Sequence, residues 1–391
     1  MFSSQFKSEA LVRYNKIFKA LQASDADALL INTNVNIYYA AGQIFSGYIY
    51  LDKSGNQFYF VKRPVGLQGE FVVYIHKPEE IPAILQEADV AMPQRIALEL
   101  DYTSYSDITR ISKVFKDAEI TNGSTILRNV RATKTPYEIE KLKESATRHE
   151  AAYSHIEAMY EEGMTDFELQ IEIERRLRME GCLGIFRVAG PSMEVFMGSL
   201  LSGNNADVPS PYDFALGGAG LDESLPIGCN GTLIKQGTTV MVDLCGNFTG
   251  YMTDMSRTFS VGQIPELAHR AHATSRAIHE ALKAIARPGV AASELYNTAL
   301  DISTKAGLGD YFMGHTQHAG FIGHGVGIEI NELPVLAPRS HDILAEGNII
   351  AIEPKFVIPG TGAVGVENTY LVTGNGLECL TNFKEDIIPL D

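Results

Sequence analysis

The sequence predicts a two-domain chain, an α/β N-terminal domain over residues 1–130 followed by an α+β C-terminal domain over residues 131–391 built from two similar halves. Three observations carry that expectation. The chain has 391 residues, a length suited to two domains. Apolar residues make up 45%, enough for more than one core. And the pattern of helix, helix, strands occurs twice, over 136–260 and 265–375.

In the N-terminal third, residues 8–23 carry Leu11, Ile17, Phe18 and Leu21 at roughly helical spacing. Ala28 to Ile31, Tyr48 to Leu51, Gln57 to Val61 and Phe71 to Ile75 read as strands, and 79–88 and 105–116 as helices. Thr135, Pro136 and Glu138 form the start of a helix, with an N-cap, a proline at the first helical position and a capping box. Thr165 and Glu168 repeat the box for a second helix, which Gly181 ends. A strand-rich stretch is expected over about 183–260. Two further helices begin at Pro265 and near Ser293, and strands follow to the C-terminus. Two halves facing each other create a cleft on which side chains of both can converge.

Acidic residues outnumber basic ones 48 to 32, a net charge of −16, which argues against nucleic acid or an anionic membrane as a partner and favours cations. The first residues lack an apolar leader, and there is no run of 18 apolar residues. The four cysteines are scattered, as expected of reduced thiols in a cytoplasmic protein.

Five side chains stand out. Val240-Met-Val242 delivers Asp243 on a strand, Asn247 to Gly250 makes a turn, and a second strand returns Asp254 beside the first. His324 sits between glycines, which leave its imidazole unobstructed. Glu353 and Glu367 each end or interrupt an apolar run, where a carboxylate is costly without a partner. Adjacent buried carboxylates repel unless a cation or proton intervenes. One imidazole and four carboxylates form a hard-to-borderline donor set suited to Mn²⁺, Co²⁺, Zn²⁺ or Fe²⁺.

With these motifs the chain resembles the pita-bread metallopeptidases: methionine aminopeptidase, aminopeptidase P, prolidase and the related creatinase. The stretch from Leu30 through Asn36-Ile-Tyr-Tyr39 is similar to the creatinase/prolidase N-terminal domain, and Arg131 to Glu138 to the start of the catalytic domain. The eleven-residue spacing of Asp243 and Asp254, GHGVG around His324, IEP around Glu353 and VENTYLVT around Glu367 match the ligand motifs. The resemblance implies a pseudo-two-fold pita-bread catalytic domain with two divalent ions. Asp243 would chelate one ion, His324 and Glu353 the other, and Asp254 and Glu367 would bridge both. A bridging hydroxide would be the nucleophile, and Glu353 would shuttle its proton. The implied activity is hydrolysis of short peptides of the Xaa-Pro dipeptidase or aminopeptidase P kind, by a homodimer. A creatinase-like hydrolase of a non-peptide C–N bond and a silent binding module on the same fold are the competing readings.

The chain departs from the family's pattern in several places. Ser210 and Asn331 stand where two active-site histidines are usual, and either can still donate a hydrogen bond. His315 and His318 lie nearby in sequence and could compensate. Gly365 replaces an arginine that many relatives carry, Lys355 stands where glycine is frequent, and Cys245 replaces another glycine. Lys355 is expected to share a strand face with Glu353 and to steer the substrate. The segment from Tyr212 to Thr232, with Gly217-Gly-Ala-Gly220, reads as a loop near the cleft mouth.

Overall fold

Helix starts written in the sequence are realised in the computed structural model, which describes residues 4–190 and 196–390. The chain divides into two units, Met1–Arg131 and Ala132–Asp391.

The first unit contains α1 (Ser4–Ala23), β1 (Ala28–Ile31), α2 (Asn34–Ala41), β2 (Ser46–Asp52), β3 (Gln57–Arg63), β4 (Val72–Tyr74), α3 (Ile81–Glu87), β5 (Arg95–Leu98), α4 (Tyr105–Val114), β6 (Glu119–Asn122) and α5 (Ser124–Ala132). Six strands form one mixed sheet in the order β4-β3-β2-β1-β5-β6. Its core joins Leu30, Tyr50, Phe60 and Ile96 to Leu85 and Phe115 of the covering segments. β5 and β6 pair in parallel with the sheet and are additions to the sequence reading.

The second unit opens with α6 (Pro136–Tyr153) and α7 (Asp166–Met179). Each carries the anticipated capping box, with Thr135 and Thr165 accepting from the amides of Glu138 and Glu168. Then come β7 (Gly198–Ser202), β8 (Thr238–Leu244), β9 (Gly246–Asn247), β10 (Met252–Thr253) and β11 (Ser256–Val261). The stretch expected to be strand-rich has no strand between β7 and β8, and residues 191–195 of it lie outside the described residues. α8 (Glu266–Ile285) and α9 (Ala292–Lys305) start the second half. It continues with β12 (Gly323–Gly325), β13 (Glu332–Val335), β14 (Ile349–Ile352), β15 (Lys355–Ile358), β16 (Gly362–Gly365), β17 (Asn368–Thr373), β18 (Gly376–Cys379) and β19 (Ile388–Pro389).

Each half has its own core. α6 and α7 pack Tyr153, Leu169 and Ile173 against Val240, Val242 and Phe259 of the sheet β19-β11-β8-β7. α8 and α9 pack Ile278, Leu282 and Leu295 with Ile350, Ile352 and Tyr370 of the sheet β13-β12-β14-β17-β18. Alternation along β8 sends Val240 and Val242 to the first core, while Met241 faces Leu201, Val357 and Ala363 in a smaller core shared with the hairpin β15–β16. Asp243 lies two residues after Met241 and so leaves the strand on that inner side. β19 comes from the C-terminal end of the chain, yet it pairs with β11 in the first half.

Candidate metal centre

Strand register brings the five predicted residues together. Asp243 faces Ser256 across the β8–β11 ladder, and Asp254 lies two residues before Ser256. Ile352 pairs with Asn368, so the flanking Glu353 and Glu367 leave β14 and β17 side by side. Gly323 pairs with Ile352, which sets His324 against the same end. The glycines beside His324 are required by close packing: a Cβ on Gly323 would lie 2.1 Å from the carbonyl oxygen of Ala351, and one on Gly325 2.1 Å from that of Leu333.

Donor atoms converge in two groups that share Glu367. Asp254, His324 and Glu367 form one, and Asp243, Glu353 and Glu367 the other, with the donor atoms of each group within 4.8 Å of one another. His324 Nδ1 donates to the carbonyl of Gly325 at 3.2 Å, so Nε2 is the nitrogen that bears the lone pair when the ring is neutral. Nε2 lies 3.5 Å from Glu353 Oε1 and 3.7 Å from Asp254 Oδ2.

Asp254, Glu353 and Glu367 are buried, and the electrostatics follow from that. Burial, reinforced by Asp243, pushes the Asp254 carboxyl up to about 7. Burial also drives Glu367 well above the carboxylate range, with Asp254 and Glu353 adding repulsion. Against its own burial, Glu353 is held down at about 2, mainly by the ammonium of Lys355. Burial opposes protonation of His324, but Glu353 and Asp254 outweigh it and raise the imidazole to about 9.

Lys355 is where the structure departs from expectation. Its side chain is 0% exposed, and Nζ donates to Asp243 Oδ2 at 2.7 Å, Glu353 Oε2 at 2.6 Å and Glu367 Oε2 at 3.3 Å. An ammonium engaged by three carboxylates has no donor left for a substrate, so the expected steering role gives way to an internal ion cluster. Gly365 is the register partner of Lys355. A Cβ at Gly365 would lie 2.7 Å from the carbonyl oxygen of Pro354, in a backbone with φ of 150°. The two departures noted in the sequence thus face each other across one ladder, and an arginine at 365 has no room.

The remaining candidates are distributed unevenly. Asn331 lines the same cavity as Asp243, Asp254, His324 and Glu353. Its amide is engaged by Ala189, donating to the carbonyl at 2.8 Å and accepting from the N–H at 2.7 Å. Ser210 and His318 line a neighbouring cavity instead. Ser210 Oγ donates to Pro226 O at 2.8 Å, and His318 Nδ1 is 2.8 Å from Phe312 O. The 208–217 segment sets Ser210 on the neighbouring cavity, while its Asp213 to Leu216 line both cavities. His315 is tied to Asp207 at 2.9 Å. Cys245 is a buried thiol pushed well up by burial.

Supporting residues that sequence reasoning passed over hold the donors in place. Ser275 Oγ on α8 donates to Pro354 O at 2.6 Å and accepts from Val366 N at 3.0 Å. One turn on, His279 Nε2 donates to Val366 O at 2.9 Å, and Tyr370 donates to its Nδ1. The fully buried Arg257 donates to the carbonyls of Ser256 and Glu367 at 2.8 and 2.7 Å. Ser256 Oγ donates to Glu367 Oε2 at 2.5 Å. Tyr153 Oη accepts from Leu244 N and donates to Met255 O, linking the strands that bear Asp243 and Asp254. Ser275, His279 and His272 are polar residues on the buried stripe of α8, a signal legible in the helical period.

The donors suit a divalent ion at the first group. Glu367 Oε1 is buried without a hydrogen-bond partner, and the imidazole Nε2 of His324 faces Asp254 there. The second group already surrounds a cation, the Lys355 ammonium.

Comparison with known proteins shows the family and the fold. The family model described as "Metallopeptidase family M24" matches residues 140–374, and that of the "Creatinase/Prolidase N-terminal domain" matches residues 13–133. The chain is 27% identical over 383 residues to a Xaa-Pro dipeptidase of Pyrococcus furiosus, covering 96% of this chain and 99% of that one. It is 28% identical over 373 residues to an uncharacterized peptidase of Bacillus subtilis, covering 93% and 96%. Among solved structures, a Xaa-Pro dipeptidase from Bacillus anthracis superposes with a TM-score of 0.79 at 24% identity, covering 97% and 99%. The Pyrococcus furiosus prolidase gives 0.74 at 25% identity, covering 94% and 99%.

Proposed function

As this chain belongs to metallopeptidase family M24, we propose that it hydrolyses short peptides in the manner of a Xaa-Pro dipeptidase, using Asp243, Asp254, His324, Glu353 and Glu367 as the metal-binding set. The observation that carries this reading is the convergence of those five side chains in two donor groups that share Glu367, with an orphaned oxygen on Glu367. A divalent ion bound there supplies Lewis acidity to a carbonyl and lowers the pKa of water.

The chain's own residues account for the rest. Lys355 keeps Glu353 ionised, as a metal-binding carboxylate must be; in this reading Glu353 also carries the proton from water to the leaving amine. His324 Nε2 and Asp254 lie beside it, and Nε2 would exchange its proton for the metal on binding. The cavity wall includes Phe186, Phe214, Phe321 and Ile330, which exclude water and suit a compact apolar ring such as proline. The relatives named as Xaa-Pro dipeptidases support the same substrate class.

The deciding experiment is hydrolysis by the Mn²⁺-loaded protein of Xaa-Pro dipeptides, matched dipeptides without proline and tripeptides. Cleavage of the Xaa-Pro dipeptides that chelation removes is expected. A metal-loaded protein that cleaves no peptide in the panel would overturn the proposal. A homodimer and a cytoplasmic location complete the reading. The latter is supported by four free cysteines, and light scattering of the purified protein tests the former.

A further inference from the structure

We infer that this centre takes one divalent ion and that the Lys355 ammonium fills the place of a second. The inference deepens the proposed function and rests on the reading of the centre as a metal site.

Asp243, Glu353 and Glu367 are one of the two donor groups, and they are the same three residues that Lys355 Nζ touches at 2.7, 2.6 and 3.3 Å. An ammonium has three protons to donate, and here each has a carboxylate. A dication sharing those oxygens would have to sit beside a positive charge in a pocket with little water to screen it.

The lysine is not free to withdraw. Its side chain is completely buried, and its strand is held on both sides: Lys355 pairs with Gly365 on β16, and Lys355 O accepts from Met313 N at 2.8 Å. Gly365 keeps the opposite position clear, since a Cβ there would lie 3.1 Å from Lys355 Cα.

The other group is open to a cation. His324 Nε2 lies 3.7 Å from Asp254 Oδ2, with its tautomer fixed by Gly325 O. Glu367 gives Oε2 to Ser256 and Lys355, while Oε1 is buried and has no partner. Formal charge agrees. With the four carboxylates ionised and His324 neutral, as metal binding requires, one ammonium leaves three negative charges, which one dication reduces to a single one and two dications would invert.

Full-length protein stripped with chelator and dialysed against saturating Mn²⁺ tests this, with bound metal counted by mass spectrometry and its coupling read by electron paramagnetic resonance. The wild type should hold one ion per chain with the signal of an isolated Mn²⁺. Lys355→Ala, which empties the second position, should hold two ions with an exchange-coupled signal, and Lys355→Arg should stay at one. Two ions or none in the wild type would overturn the inference, as would one ion in a folded Lys355→Ala protein. Should circular dichroism show Lys355→Ala unfolded, the wild-type count and spectrum decide alone: one uncoupled ion upholds the inference and a coupled pair refutes it. A protein that binds one ion yet cleaves no peptide would sink only the proposed function. One that binds a coupled pair and cleaves peptides would sink only this inference.

Discussion

Ser275→Ala probes whether α8 positions the two glutamates. Ser275 is fully buried, and its hydroxyl donates to Pro354 O at 2.6 Å and accepts from Val366 N at 3.0 Å. Alanine removes both partners at once and leaves a buried carbonyl and a buried amide. Each such orphan costs about 1–3 kcal/mol, and alanine's better helix propensity returns roughly 0.5 kcal/mol. The expected loss is therefore about 2–5 kcal/mol, a large part of the ~5–15 kcal/mol that stabilises a domain. Pro354 follows Glu353 and Val366 precedes Glu367, so the loss should also reach the metal. Outer partners of ligands are commonly worth about 10–100-fold in metal affinity. Urea unfolding of the metal-free protein measures the first quantity, and equilibrium dialysis with Mn²⁺ the second. Ser303→Ala serves as the control, because Ser303 is equally buried but its hydroxyl donates only to Leu300 O within α9. If Ser275→Ala costs no more stability than Ser303→Ala and binds Mn²⁺ as tightly as the wild type, the positioning argument fails.

Glu353→Gln should lower turnover of Xaa-Pro dipeptides by about 10²–10⁴-fold, and metal content measured in parallel separates a lost proton carrier from a lost ligand. Wild-type turnover in that variant would remove Glu353 from the proton path. Ser210→Ala should leave kcat/KM within about threefold, because its hydroxyl serves Pro226 O beside the neighbouring cavity; a collapse of activity in folded protein would return Ser210 to the site. Burial lowers His272 and His279 to about 4 each, whereas the unfolded chain protonates near the ordinary 6.5. Between those values the unfolded state binds more protons, so the contribution is complete above pH 6.5 and is lost as pH falls toward 4. At the acid end each histidine removes on the order of 3 kcal/mol. His272→Gln should flatten the fall in unfolding free energy between pH 6.5 and 4.5, and an unchanged slope would refute the assignment.

Much of the fold was legible because local signals and tertiary structure agree. Thr135-Pro136 and Thr165 start α6 and α7 as the capping boxes require, and Pro265 precedes α8. The two-half arrangement followed from helix order alone. What escaped were elements with little local signature. β5 and β6 are four-residue strands, β5 paired with β1 and β6 with β5. β19 is two residues long and exists only because β11 offers an edge. Within the stretch expected to be strand-rich, the Tyr212 to Thr232 segment was read as a loop, and a loop held by Asn205, Asp166 and Gly228 is what the structure has there.

The candidate centre divides along the same line. Asp243, Asp254, His324, Glu353 and Glu367 could be named because each interrupts an apolar or glycine context where a charge or imidazole needs a reason. Ser210 and His318 could not be placed, since their positions depend on how the 208–217 segment runs between two cavities. Lys355 is the instructive case. Strand alternation correctly set it on the side of Glu353, and the same reasoning wrongly turned it toward a substrate. Alternation fixes a face and says nothing of what fills the space in front of it. Here that space is occupied by Asp243 from the other half and Glu367 from just before β17, so a residue expected to steer the substrate ends fully buried. A cation introduced opposite a glycine, among carboxylates that already needed one, changes how many further cations the centre can hold. The glycine at 365 and the lysine at 355 are thus one joint feature of the ladder, and neither is interpretable without the other.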